Sequence, residues 1–236
     1  MAEEYFGDLA KTEILTKLFD AEHSKRDGSW VNEFFANVID ASFRCDEAQI
    51  MRGPDGFLYF KLITPEPNQP FTCYVLRHMM PQFLLKEGFG AVINPQKGNP
   101  DWVFSYGDLM GYYVNGAFLS HDKRFDTGRE ETEVLEKEEN ILIGNPSENI
   151  LPALSREFLH NFCKQLKLPA KVALMKRKSK NNGDDEGFFS LVFPFTPKMF
   201  RKEEEFRQFL KMFSWYFPRF YSVICLEERG DFYDLI

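Results

Sequence analysis

The sequence predicts an α+β protein made of two small packed α/β-type domains, the C-terminal one ferredoxin-like. Three observations lead there. Apolar residues recur at helical spacing in some segments and crowd into short branched or aromatic runs in others, and the two patterns alternate along the chain. The 236 residues suit one large or two small domains at roughly 150 residues each. Residues 141–236 read strand, helix, strand, strand, helix, strand, the β-α-β-β-α-β succession of split-βαβ folds.

The N-terminal domain is expected over residues 1–119 and opens with helices. Residues 5–22 carry Leu9, Ile14, Leu15, Leu18 and Phe19 on one face of a 3.6-residue period. The polar stretch His23–Gly28 interrupts it, and Ser29 is placed to cap a second helix striped by Phe34, Phe35, Val38 and Ile39. Strands follow. Gly53-Pro54-Asp55-Gly56 marks a turn between Ala48–Met51 and Phe57–Ile63. The second run is rich in residues that suit a pleated, half-buried surface. After a proline-rich loop, Phe71–Leu76 reads as a strand, Pro81–Lys86 as a short helix ended by Gly88, and Ala91–Asn94 as a short apolar strand. Ser105–Tyr113 reads as helix, although Gly107 and Gly111 are unfavourable inside one.

Between 120 and 140 the apolar residues thin out, and Glu130, Glu131, Glu133, Glu136, Glu138 and Glu139 cluster. Such a run is expected to be a solvated linker. The C-terminal domain, 141–236, starts with a strand at Ile141–Ile143 and a Gly144-Asn145-Pro146 turn. Leu154, Phe158, Phe162 and Leu166 mark a helix whose first turn tolerates Pro152. Lys171–Met175 and Phe188–Phe193 are strands flanking a polar tip at 176–187. Phe206, Phe209, Leu210, Phe213 and Phe217 stripe a last helix, and Tyr221–Leu226 closes the series as a strand.

Composition narrows the function. Hydrophobic residues make up 44%, with 26 phenylalanines, so a substantial core is expected. The net charge of −7 disfavours a nucleic-acid partner, which requires a basic face. No apolar run reaches the 18 or so residues needed to span a bilayer, and the start, Met1-Ala2-Glu3-Glu4, does not read as a signal peptide. Cys45, Cys73, Cys163 and Cys225 form no CxxC pair and read as buried free thiols of a reducing compartment. The cytoplasm is the expected location.

Few residues are arranged for chemistry. His160 and Cys163 lie three apart on a predicted helix, yet lack the orienting group or further ligands that a nucleophile or metal site requires. His23, His78 and His121 are isolated, and Gly88-Phe89-Gly90 is not a phosphate cradle because no third glycine follows. The basic run Lys176-Arg177-Lys178-Ser179-Lys180 is answered by Asp184-Asp185-Glu186 and reads as a solvated hairpin tip. No catalytic residue, metal site or cofactor is therefore assigned.

The richest stretch is 94–118. Trp102, Tyr106, Tyr112 and Tyr113 occur there with Asp108 and Asn115, in a backbone loosened by Gly107, Gly111 and Gly116. Aromatics with polar tips serve cores and recognition surfaces alike. The Pro100-Asp101 turn is expected to hold Trp102 and Tyr106 on a loop. Trp102, Tyr106, Asp108, Tyr112, Tyr113 and Asn115 are the candidate binding residues, with core packing as the competing account.

Three blocks carry a family resemblance. The first joins Ile14-Leu15-Thr16-Lys17-Leu18 to Phe34-Phe35-Ala36-Asn37-Val38-Ile39-Asp40-Ala41-Ser42-Phe43. The second is Phe83-Leu84-Leu85-Lys86-Glu87-Gly88-Phe89-Gly90-Ala91-Val92-Ile93-Asn94-Pro95, and the third is Ile141-Leu142-Ile143-Gly144-Asn145-Pro146-Ser147-Glu148. In this order the chain resembles bacterial SseB-like proteins, the enhanced serine sensitivity family. The charged insert at 120–140 and the long tip at 176–187 are less typical of it. The resemblance implies an N-terminal domain with a C-terminal partner domain and a non-catalytic role, and it transfers no catalytic residue.

The function expected from these readings is a bacterial cytoplasmic binding or regulatory protein acting through a protein partner, with neither nucleic acid nor membrane involved. An immunity protein neutralising a toxin is one alternative. An enzyme with an unrecognised site, built around Asp108 or His78, is another.

Overall fold

The computed structural model describes residues 6–119, 123–125, 141–178, 187–227 and 233–236. The chain divides into two compact units, Met1–Tyr113 and Val114–Ile236. The α+β class and the two-domain organisation are as expected.

In the first unit, α1 (Leu9–Leu18) starts where the Asp8 carboxylate accepts from the amides of Ala10 and Lys11. Helix α2 (Gly28–Val38) is capped by Asp27, which accepts from the Trp30 amide. The cap expected at Ser29 thus lies two residues earlier, and the Ser29 hydroxyl donates to Asp27. An N-cap must sit outside the helix with its oxygen facing the first-turn amides, and Asp27 has that extended backbone.

Strands β1 (Ile50–Arg52) and β2 (Leu58–Leu62) form the expected hairpin. The strand expected at Phe71–Leu76 is corrected: only Tyr74 bridges, to Phe43, and helix begins at Leu76. Its side chains suit a strand, but beyond the Tyr74–Phe43 bridge no described strand lies alongside it, and Val75 leads directly into the helix. The helical run comprises α3 (Leu76–Met79), a π-helical turn (Met80–Leu84) and α4 (Leu85–Glu87). It stops at Gly88, whose φ of 74° is the left-handed conformation that ends helices.

Strand β3 (Gly90–Ile93) then runs parallel to β2, and β4 (Trp102–Phe104) returns antiparallel beside it. Helix α5 (Tyr106–Asn115) follows. The sheet order is β1-β2-β3-β4. Phe34 of α2 is fully buried and lies 4.8 Å from Trp102 and 6.0 Å from Phe104, so α2 covers one sheet face.

The unit division falls in the last turn of α5, earlier than the expected boundary at 119. Most of the expected linker, 120–122 and 126–140, lies outside the described residues. Lys123–Phe125 form a short 3-10 helix, and the buried Phe125 ring stacks on Tyr221 at 4.2 Å.

The second unit follows the predicted element order: β5 (Ile141–Gly144), α6 (Ala153–Gln165), β6 (Lys171–Lys178), β7 (Gly187–Phe193), α7 (Glu203–Ser214) and β8 (Val223–Cys225). A further strand, β9 (Asp234–Leu235), pairs with β6. The strand order corrects the ferredoxin-like expectation. A split-βαβ sheet inserts a strand between its helix-linked parallel partners. Here β7 and β8 are adjacent and parallel, β5 and β6 are antiparallel neighbours, and the order is β5-β6-β7-β8. Chain order is readable from periodicity, whereas lateral order is set by which faces pack. Phe193 at the end of β7 meets Phe213 of α7 at 4.9 Å, which favours a short crossover to the adjacent position.

The basic residues Lys176, Arg177 and Lys178, expected at the tip, are β6 residues paired with Phe189, Phe188 and Gly187. The remainder of the tip, 179–186, lies outside the described residues.

The two units share a core succession that the sequence does not display. In each, a helix precedes an antiparallel hairpin, a helical connection follows, and the next strand runs parallel to the second hairpin strand. The series is α2-β1-β2-α3/α4-β3 in one unit and α6-β6-β7-α7-β8 in the other.

Candidate functional site

The stretch singled out for its aromatics is not a loop. It is strand β4 followed by helix α5, and the difference reassigns each candidate residue. Ser105 and Asp108 form a reciprocal capping box at the head of α5. The Ser105 amide donates to the Asp108 carboxylate at 2.9 Å, and the Asp108 amide donates to the Ser105 hydroxyl at 3.0 Å. Asp108 therefore has a structural task at the first turn. Asn115 ends the helix, and Gly116 follows at a φ of 70°.

Tyr106, expected at a binding surface, is fully buried, and its hydroxyl donates to the Leu85 carbonyl at 2.9 Å. It serves the core, because the helix registers it inward with Leu109 and Met110. Tyr112 is half-buried and hydrogen-bonds the Arg77 guanidinium. Tyr113 is exposed at 42%. Trp102 is half-buried in β4, 5.9 Å from Trp30 and edge-on to Phe35 at 5.3 Å. The candidates thus do not converge on one pocket. Trp102 and Tyr113 retain surface, and Tyr106 does not.

Sequence reasoning missed two residues here. Val103 is exposed at 41% on β4, the outer strand of its sheet among the described residues. Phe35 is half-buried beside Trp102. The alternation Trp102-Val103-Phe104 was the available signal, since successive strand residues point to opposite faces.

The turn before β4 is held by a buried polar cluster. Asn94 takes a left-handed backbone conformation, φ 53°, and is 1% exposed. Its side-chain carbonyl accepts from the Thr64 amide at 2.8 Å, and its side-chain amide donates to the Asp101 carboxylate at 2.7 Å. Arg26 donates to that carboxylate at 2.7 Å and to the Asp101 carbonyl at 2.6 Å, while stacking over Trp30 at 4.6 Å. Lys97 also donates to the carboxylate, at 2.7 Å. Burial pushes the Asp101 pKa up, but the hydrogen bonds from Lys97, Arg26 and Asn94 outweigh it and hold the group below its ordinary value. This cluster fixes the start of β4, and with it the Trp102 ring.

A second cluster lies at Asp40. Hydrogen bonding from Arg77 and then Lys11, working against desolvation, lowers its carboxyl to about 2. Arg77 in turn contacts Tyr112.

The remaining sequence candidates separate. His160 directs Nδ1 to the Ile236 main-chain oxygen at 3.0 Å. Burial pushes the Cys163 thiol up to about 12, which opposes thiolate formation at neutral pH. Burial likewise raises Cys225 to about 12, but of the four thiols expected to be buried only Cys163 is; Cys45, Cys73 and Cys225 are half-buried. Among the described residues, no group of three His, Cys, Asp or Glu side chains is placed to hold a metal. No described helix is long and apolar enough to cross a membrane. Comparison with protein-family models, curated proteins and solved structures finds no match.

Proposed function

We propose that the protein is a non-catalytic cytoplasmic binding or regulatory protein that acts through a protein partner, in keeping with its resemblance to bacterial SseB-like proteins. The docking face is the outer edge of β4 together with the exposed side of α5. One observation carries the reading: Trp102 sits half-buried on an outer strand, backed by Trp30, Phe34 and Phe35. An aromatic held this firmly offers contact area at little entropic cost. An outer strand offers main-chain groups to an extended segment of a partner, with alternate side chains finding pockets on either face.

The test compares recovery of the native partner by wild type, Val103→Lys and Tyr113→Ala from cells of the source organism, alongside thermal melting. Both substituted side chains are exposed, so melting should be preserved. Recovery should fall for both, and Val103→Lys should fall most because a lysine opposes strand addition. Undiminished recovery in both variants overturns the proposed face.

A further inference from the structure

Strand β5 (Ile141–Gly144) is an outer strand of the second unit's sheet among the described residues. Leu142 and Ile143 on it are 55% and 44% exposed. We infer that β5 pairs antiparallel with the β5 of a second copy of this chain, forming a two-fold dimer with Leu142 on the axis. The contact belongs to the other unit from the β4 face and does not rest on that reading.

An outer strand presents main-chain donors and acceptors that another strand can satisfy, and natural edges commonly block that approach with lysine, proline or an inward charge. Here the block is missing. From Ile141 to Ser147 the sequence has no ionisable side chain, and Pro146 lies beyond the end of the strand. The edge is therefore uncharged in a chain whose net charge of −7 otherwise keeps copies apart. Association there removes the exposed Leu142 and Ile143 side chains from water without bringing like charges together.

Symmetry and charge select a second copy as the occupant. In a two-fold antiparallel pair the segment must complement its own reverse. Ile141-Leu142-Ile143 reads the same in both directions. Centred on Leu142, the pairing sets Leu142 against itself and Ile141 against the copy's Ile143, so apolar side chains stand directly opposite one another. The sheet faces are also preserved. Ile141 and Ile143 lie beside Arg177 and Met175 of β6 and share one face, whereas Leu142 lies beside Lys176 on the other. The cations behind the edge do not oppose the contact. Lys176 and its counterpart would stand three strand spacings apart, about 14 Å, beyond the screening length of about 8 Å at physiological salt.

A contact of four residues per strand is small, so the dimer is weak and depends on concentration. Sedimentation velocity of the full chain over about 1 µM to 1 mM should show the monomer giving way to a species of twice its mass. Leu142→Lys places two cations together on the axis and should stay monomeric throughout, with its circular dichroism unchanged because the position is exposed. Leu142→Ser adds no charge and should weaken association several-fold; it keeps the test open if Leu142→Lys fails to fold. An equimolar mixture of Leu142→Lys and Leu142→Glu should form a mixed dimer, because position 142 meets itself. Val103→Lys, on the β4 edge, should dimerise like wild type, which separates this contact from the partner-binding face. A monomer at every concentration, a dimer that folded Leu142→Lys leaves intact, a mixture that stays monomeric, or a dimer abolished by Val103→Lys would each overturn the assignment.

Discussion

Removing Arg26 should destabilise the first unit far more than removing a surface cation. The Arg26 and Asp101 side chains are 7% and 3% exposed. Arg26→Ala deletes two hydrogen bonds to Asp101 and the stacking contact with Trp30, and leaves a carboxylate in a dry setting. Breaking a buried pair from one side costs about 3–5 kcal/mol. Lys97 and Asn94 still contact the carboxylate, which places the expectation near the lower end, ~3 kcal/mol. At roughly 4–8 °C per kcal/mol for a domain near this size, Tm should fall by ~12 °C or more. Urea melts followed by Trp fluorescence read the change, since Trp30 and Trp102 flank the cluster. The double variant Arg26→Met, Asp101→Leu removes both charges and should recover much of the loss. The sign with pH is fixed too. The folded pKa of Asp101 is depressed, so its contribution is present above its ordinary value of 3.8 and is lost as pH falls through the folded value. A cost for Arg26→Ala below about 1 kcal/mol, typical of an exposed pair, would refute the reasoning.

Other outcomes follow from the same geometry. Tyr106→Phe removes the hydroxyl that donates to the Leu85 carbonyl in the core and should cost about 1–3 kcal/mol by denaturant melting, whereas Tyr113→Ala should stay within about 0.5 kcal/mol. Gly90→Ala would place a Cβ 2.5 Å from the Phe104 carbonyl oxygen, and thermal melting should show a loss of about 1–3 kcal/mol as β3 and β4 are pushed apart. Asp40 is lowered to about 2 from 3.8, so acid titration of stability should show its contribution intact above pH 4 or so and fading toward pH 2, and Asp40→Asn should flatten that part of the curve.

Much of the fold was legible because it rests on local periodicity. The stripe Phe206, Phe209, Leu210, Phe213 requires an amphipathic helix wherever it is placed, and α7 is that helix. Gly88 ends a helical run because glycine alone enters the left-handed region without cost, and it does so here. The block around Asn94-Pro95, noticed as a pattern, proves to hold a left-handed Asn94 that bonds Thr64 and Asp101.

The candidate site was legible only as a neighbourhood. Tyr106 and Tyr113 are seven apart on one helix, yet one is fully buried and the other is 42% exposed. Residue type does not separate them, because an aromatic with a polar tip satisfies either environment. The Asp101–Arg26 pair was equally hidden. Its members lie 75 residues apart, and only the packing of the turn beside α2 brings them to 2.7 Å.

The sequence by itself determined the α+β class, the order of most elements and the main helix faces, since these follow from spacing along the chain. Tertiary structure decided the lateral strand order, the placement of Trp102 on an outer strand, the burial of Tyr106 and the exposure of Leu142 on β5. Each depends on contacts between residues far apart in sequence, and no local pattern encodes which faces will meet.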